Sequence, residues 1–368
     1  MPEKKNLENI HIQALLTGKV NEEAVSKLFS KIGKLPAIEQ LSLSLSTNPP
    51  FNRTMTLNEV EALSEMLKTV SKLKNLVLNF TPYFSPSVQE FSRVLESFSG
   101  HEHLRKLFLT IQGANNLKMY DKCFSALGEC LSAQKNLEDL SLHLFNLKYA
   151  ERIFLRHYYS SLEELKHLKN LSLIFDYSLT QYYPTFVDDE LSLLAQSLRK
   201  TPVEVLFLVF NSLDQESETL LPSFFMELGS IETLDKLAVE EKSYNLFHPE
   251  IYTSLFEGIS QLPKLRVFRA ELWDCSWEHE MRLSPEEFTN IEESLSKLKS
   301  LIDLQLFLNR TCEDLLVAVG KGIEGLNDLC SVSLDISGFS IRDPAFFLLT
   351  RSLSRISTLK NLILGLKR

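Results

Sequence analysis

The strongest constraint on this chain is a phrase that returns twelve times: an apolar residue, two spacers, then three apolar residues separated by single spacers. Copies begin at Leu7, Ile38, Leu73, Leu104, Leu137, Leu168, Val203, Leu234, Leu265, Leu301, Leu329 and Leu359. The clearest are Leu73, Leu76, Leu78 and Phe80; Leu137, Leu140, Leu142 and Leu144; and Leu301, Leu304, Leu306 and Leu308. Successive starts lie 28 to 36 residues apart, most often 31. A period of that size is the mark of a stacked array, in which no unit buries its apolar faces alone. The 368 residues would otherwise suggest two globular domains. A stack grows without closing a core, so a single repeat domain spanning 1–368 is expected.

One repeat, Leu168 to Pro202, shows the unit. Leu171, Leu173 and Phe175 alternate with period two and share one face of a short strand. A polar and aromatic loop follows, Asp176 to Phe186, and then Leu191, Leu194 and Leu198 form one stripe of a helix. Helix starts fall at a similar phase elsewhere. Ser85-Pro86, His248-Pro249, Ser284-Pro285 and Asp343-Pro344 each place proline in a first helical turn, where its missing N–H costs nothing. Ser284 and Glu287 also form a capping-box pattern. An all-helical solenoid is the competing architecture, but a helix would scatter the period-two leucines around its surface.

Ile38, Leu41, Leu43 and Leu45 followed by Asn48 resemble the leucine-rich repeat signature, asparagine included, and the strand plus long helix is similar to the ribonuclease-inhibitor type of that family. The resemblance runs over residues 7 to 366. It implies an α/β leucine-rich repeat solenoid, a horseshoe with a concave parallel sheet and convex helices, about twelve repeats long and used for binding protein. The asparagine position departs from the signature in other copies, holding Tyr83, Ala114, Leu147, Ser178, Leu213, Tyr244 and Cys275. Turn geometry and curvature are therefore open, and the repeat spacing is longer than in the inhibitors.

Composition bears mainly on what the chain does not do. The longest apolar runs, such as Val205 to Phe210, are far too short to span a bilayer. Met1-Pro2-Glu3-Lys4-Lys5 has no apolar stretch behind it of the kind a secretory signal needs. Five irregularly placed cysteines point to a reducing, cytoplasmic setting. A net charge of −9 without a basic stripe argues against nucleic acid. Acids open the helical segments (Glu22, Glu23, Glu286, Glu287) and lysines close them (Lys31, Lys34), the order the helix dipole favours.

In the leucine-rich repeat frame the spacers between the alternating leucines face the concave side. In the middle of the chain they include Phe108, Ile174, Phe207 and Val209, with Phe307 further on. An exposed apolar patch on a sheet is expected to contact protein; the bland alternatives are mutual cover, or a one-residue slip that swaps the faces. Burying four such side chains yields roughly 6–12 kcal/mol gross, against an association cost on the order of 4–15 kcal/mol. More anchors are needed. Long strand-to-helix connections supply candidates: Tyr177, Tyr182, Tyr183 and Phe186 in one, Trp273 and Trp277 in another. Aromatic residues on one rim are favoured interface anchors, although a long loop also needs packing of its own. The chain opens and closes on strand phrases without a distinct cap, as a subunit covered by neighbours would, or as one protected by flanking charge and proline.

Catalytic and cofactor signals are weak. Gly320, Gly322 and Gly325 match a dinucleotide fingerprint by letters, but the repeat frame puts them at a helix end rather than in a strand-to-helix turn. Cys275 and His279 lack the second pair that a closed zinc site requires, and His101 and His103 sit in a turn. No cofactor and no metal are expected, and the chain is read as a non-catalytic scaffold, a subunit of a larger assembly of the cytoskeletal or ciliary kind. The second reading is a regulator of an enzyme, an inhibitor or GTPase-activating protein, for which the charges Glu240, Arg269, Glu271 and Asp335 are sparse.

Overall fold

The computed structural model describes residues 7–16, 22–35, 37–47, 55–80, 87–112, 120–145, 152–176, 190–211, 219–243, 249–274, 283–309, 313–335 and 343–365. They belong to two compact units, Met1–Leu179 and Thr180–Arg368, built on one plan. In the first, the strands β1 (Asn9–Leu16), β2 (Gln40–Thr47), β3 (Asn75–Phe80), β4 (Lys106–Gln112), β5 (Asp139–Phe145) and β6 (Asn170–Asp176) pair parallel in chain order. The helices α1 (Glu22–Ile32), α2 (Leu57–Thr69), α3 (Val88–Phe98), α4 (Tyr120–Ala133) and α5 (Arg152–Leu162) alternate with them.

The second unit begins with α6 (Glu190–Lys200). Its strands β7 (Val205–Asn211), β8 (Lys236–Ser243), β9 (Val267–Asp274), β10 (Asp303–Asn309), β11 (Ser331–Asp335) and β12 (Asn361–Gly365) are again parallel and in order. Between them lie α7 (Leu221–Leu228), α8 (Pro249–Ile259), α9 (Pro285–Lys297), α10 (Glu313–Ile323) and α11 (Asp343–Ser354). The chain is thus an α/β repeat protein, with twelve parallel strands and eleven helices among the described residues.

From β2 to β11 each phrase buries its described apolar set beneath the helices, whereas Leu7 and Leu362 in the first and last phrases are exposed. Leu73, Leu76, Leu78 and Phe80 are wholly buried, and Leu137, Leu140, Leu142 and Leu144 nearly so. The helix stripe Leu191, Leu194 and Leu198 is buried with them. Each such side chain contributes about 1.5–3 kcal/mol of transfer free energy. Strands run slightly past the phrase: β2 takes in Ser46 and Thr47, β6 takes in Asp176, and β9 takes in Trp273 and Asp274. Parallel pairing with a neighbour satisfies those backbone groups and extends the strand into what the side-chain pattern assigns to a loop.

Just before each strand, one carbonyl accepts two N–H groups from the next repeat. Glu39 N and Gln40 N donate to Glu8 O (2.7 and 3.0 Å), and Lys74 N and Asn75 N donate to Glu39 O (2.7 and 3.1 Å). The same pair of bonds recurs on Lys74, Arg105 and Glu138, and in the second unit on Glu204, Asp235, Arg266, Ile302 and Cys330. Side chains reinforce this edge: Thr233 donates to Val203 O (2.7 Å), Thr358 to Leu329 O (2.8 Å) and Asn136 to Glu102 O (2.7 Å). Polar contact between repeats thus begins ahead of the strand, at a position the asparagine signature does not mark.

Caps follow the sequence with one shift. Ser284 and Glu287 form the expected capping box at α9, and Pro249, Pro285 and Pro344 lie in first turns. At α3 the cap is Ser87, whose side chain accepts from Glu90 N at 3.3 Å, so Pro86 precedes the cap rather than opening the helix. Thr56 and Glu59 form a further box at α2, with the Glu59 carboxylate wholly buried. The glycines Gly320 and Gly322 fall in the last turns of α10; a Cβ on Gly322 would come within 2.7 Å of Leu295 Cβ, so helix packing accounts for it.

The tightest approach is at Gly258 in α8, where a Cβ would lie 2.0 Å from Phe225 O in α7. Gly258→Ala is expected to destabilise by about 1–3 kcal/mol through overpacking, against the roughly 1 kcal/mol that alanine gains in an unconstrained helix. Urea unfolding checks this, with Gly100→Ala, whose Cβ would meet nothing within 4 Å, as the neutral control.

His101, in the turn after α3, is 6% exposed, and burial holds its imidazole below its ordinary pKa, opposed in part by the Leu67 carbonyl. A lowered folded-state pKa means the unfolded chain binds the proton more readily. The stability His101 contributes is therefore complete above about pH 6.5 and is lost as pH falls through the depressed value. Replacing it with leucine should flatten the pH dependence of the urea midpoint in that window; an unchanged profile would remove His101 from the account.

Candidate functional site

The strand register sorts the side chains facing away from the helices into rows. In the first unit one row reads His11, Ser42, Val77, Phe108, Ser141 and Ser172. The next strand positions include Ser44, Asn79, Thr110, His143 and Ile174. Polar groups here bond one another. Asn79 donates to Ser44 Oγ (3.3 Å), Thr110 donates to Asn79 Oδ1 (3.0 Å), and His11 Nδ1 lies 2.9 Å from Ser42 Oγ. His143 Nε2 stands 3.8 Å from Asp176, and Asp139 holds both Lys106 and Asn170. Phe108 and Ile174 are half-buried, two strands apart and in different rows, so they do not form one patch.

The second unit presents a different face. Phe207, Ala238, Arg269 and Gln305 form one row, and Val209, Glu240, Glu271, Phe307 and Asp335 the next. Phe207 and Phe307 are half-buried, whereas Val209 is only 5% exposed and is largely covered by its neighbours. Phe307 lies three strands from β7, roughly 14 Å away at normal strand spacing. Charge fills the space between.

Glu240 and Glu271 are direct partners on β8 and β9. Two carboxylates at the roughly 5 Å spacing of neighbouring strands repel by about 3 kcal/mol at an effective dielectric near 20. Two cations offset this. Arg269 Nη2 reaches Glu240 at 3.3 Å and Glu271 at 2.9 Å, and Lys242 Nζ reaches Glu240 at 3.1 Å and Glu271 at 3.3 Å. The guanidinium also lies over the Phe307 ring, 5.0 Å from its centroid. The acid side chains are 12% and 13% exposed, the cations 38% and 39%. Burial draws the Lys242 ammonium down, but its hydrogen bonds and the charges of Glu240 and Glu271 outweigh this and hold its pKa above the ordinary lysine value.

Sequence reading singled out Phe207, Val209 and Phe307 and treated Glu240, Arg269 and Glu271 as sparse; the parallel register brings the three charges together. It missed Lys242. The last apolar slot of that phrase holds Glu241, itself buried, and β8 runs two residues further to Ser243, so Lys242 lies where a phrase-length strand has already ended. Trp273 is the register partner of Lys242, with its backbone alone described; Tyr177, Tyr182, Tyr183 and Trp277 lie outside the described residues.

A depression of about 590 Å³ opens among the turns preceding the strands of the second unit. Its lining is already engaged: Arg266 lies 3.7 Å from Asp235, Thr233 bonds Val203 O and Ser300 bonds Pro263 O. It reads as a seam between repeats. Among the described residues no helix is long and apolar enough to cross a membrane.

No family model matches this chain, and no curated protein matches it. Among solved structures it is similar to a Bacteroides fragilis protein determined by the Northeast Structural Genomics Consortium, with 13% identity and a TM-score of 0.38 over 70% of this chain and 69% of that one. At that level nothing is carried from it to this chain.

Removing Arg269 takes away one of the two cations that face both Glu240 and Glu271. Arg269→Met is expected to cost about 1–3 kcal/mol, and Glu240→Gln in that background should recover most of the loss. A double-mutant cycle by chemical denaturation reads the coupling; strictly additive effects would show that the four charges do not act together.

Proposed function

We propose that this chain is a non-catalytic protein-interaction scaffold of the leucine-rich repeat class, nearest in plan to the ribonuclease-inhibitor type. The observation that supports it most is the open sheet face of the second unit, where half-exposed Phe207, Arg269 and Phe307 share a rigid parallel register with two opposed carboxylates. Opposed like charges weaken a sheet. A fold that needed only to be stable is better served by the hydrogen-bonded polar rows of the first unit, so the costly arrangement favours a binding role. Rows held by backbone pairing present their side chains without the ordering cost of a loop.

The reading extends to a reducing, intracellular setting, supported by the free thiols Cys130 and Cys330 among the described residues, and to a place within a larger assembly. Affinity isolation from the native cell, with mass spectrometry, provides the test. Wild type is expected to recover a reproducible partner set, cytoskeletal or ciliary subunits among them. Phe207→Asp and Phe307→Asp should each reduce recovery about tenfold or more, while Phe347→Asp, at a helix position 64% exposed, should not. Equal recovery by all four proteins would reject this face as the contact.

The charged cluster also lends some weight to a second reading, a regulator of an enzyme such as an inhibitor or GTPase-activating protein. Acceleration of GTP hydrolysis by a small GTPase, lost in Arg269→Met, would favour it over the scaffold.

A further inference from the structure

We draw no further inference here: the strongest candidate, the outer edge of β12 with its exposed Leu362 and Ile363, is an apolar strip bordered among the described residues by β11 alone, and nothing in the structure shows what covers it.

Discussion

The carbonyl that receives two N–H groups from the following repeat governs everything placed on these sheets. Because Glu8, Glu39, Lys74, Arg105 and Glu138 in the first unit each hold the next strand by the same two bonds, every strand enters its sheet at the same height. Parallel neighbours then carry equivalent positions side by side. A slip of one residue would send the leucines to solvent and the polar spacers into the core, at about 1.5–3 kcal/mol for each large apolar side chain exposed. Register is thus held from two directions, by the backbone at the strand entrance and by the apolar set along the strand.

Given that register, the composition of the open faces becomes a matter of which residues occupy equivalent slots. In the first unit the slots hold serine, asparagine, threonine and histidine, and donors meet acceptors along the row, as from Thr110 to Asn79 to Ser44. That surface is largely self-contained. In the second unit the same slots hold phenylalanine and charge. Glu240 and Glu271 are forced together by the pairing of β8 with β9, and the structure answers with Arg269 and Lys242, one a row before the acids and one a row after. Each carboxylate faces both cations, so the two acids and two bases balance in charge.

The helical layer sets how closely the repeats approach. Gly258 lets α8 rest directly against the Phe225 carbonyl of α7, and Gly322 does the same for α10 beside Leu295. Larger residues there would separate helices whose strands remain fixed in register. Capping boxes at Thr56, Ser87 and Ser284 satisfy first-turn N–H groups that have no intrahelical acceptor. The strand-entrance bonds repeat with the leucine phrase, while the close glycine contacts and capping boxes belong to particular repeats.

The order of elements was legible in the residues alone. The leucine phrase located the twelve strands of the described residues, the stripe of Leu191, Leu194 and Leu198 located α6, and Ser284 with Glu287 marked the start of α9. These are local signals, carried by periods of two and about 3.6 within a single repeat. The Thr56 and Ser87 caps carried the same pattern and went unread. What tertiary structure decided was adjacency between repeats. Whether Glu240 meets Glu271, whether Arg269 reaches both and stacks on Phe307, and whether Val209 is covered all depend on side chains about 30 residues apart in sequence but one strand apart in space. Lys242 shows the limit most plainly: its strand continues past the pattern because backbone pairing with β7 and β9 sustains it, and no side-chain period records that.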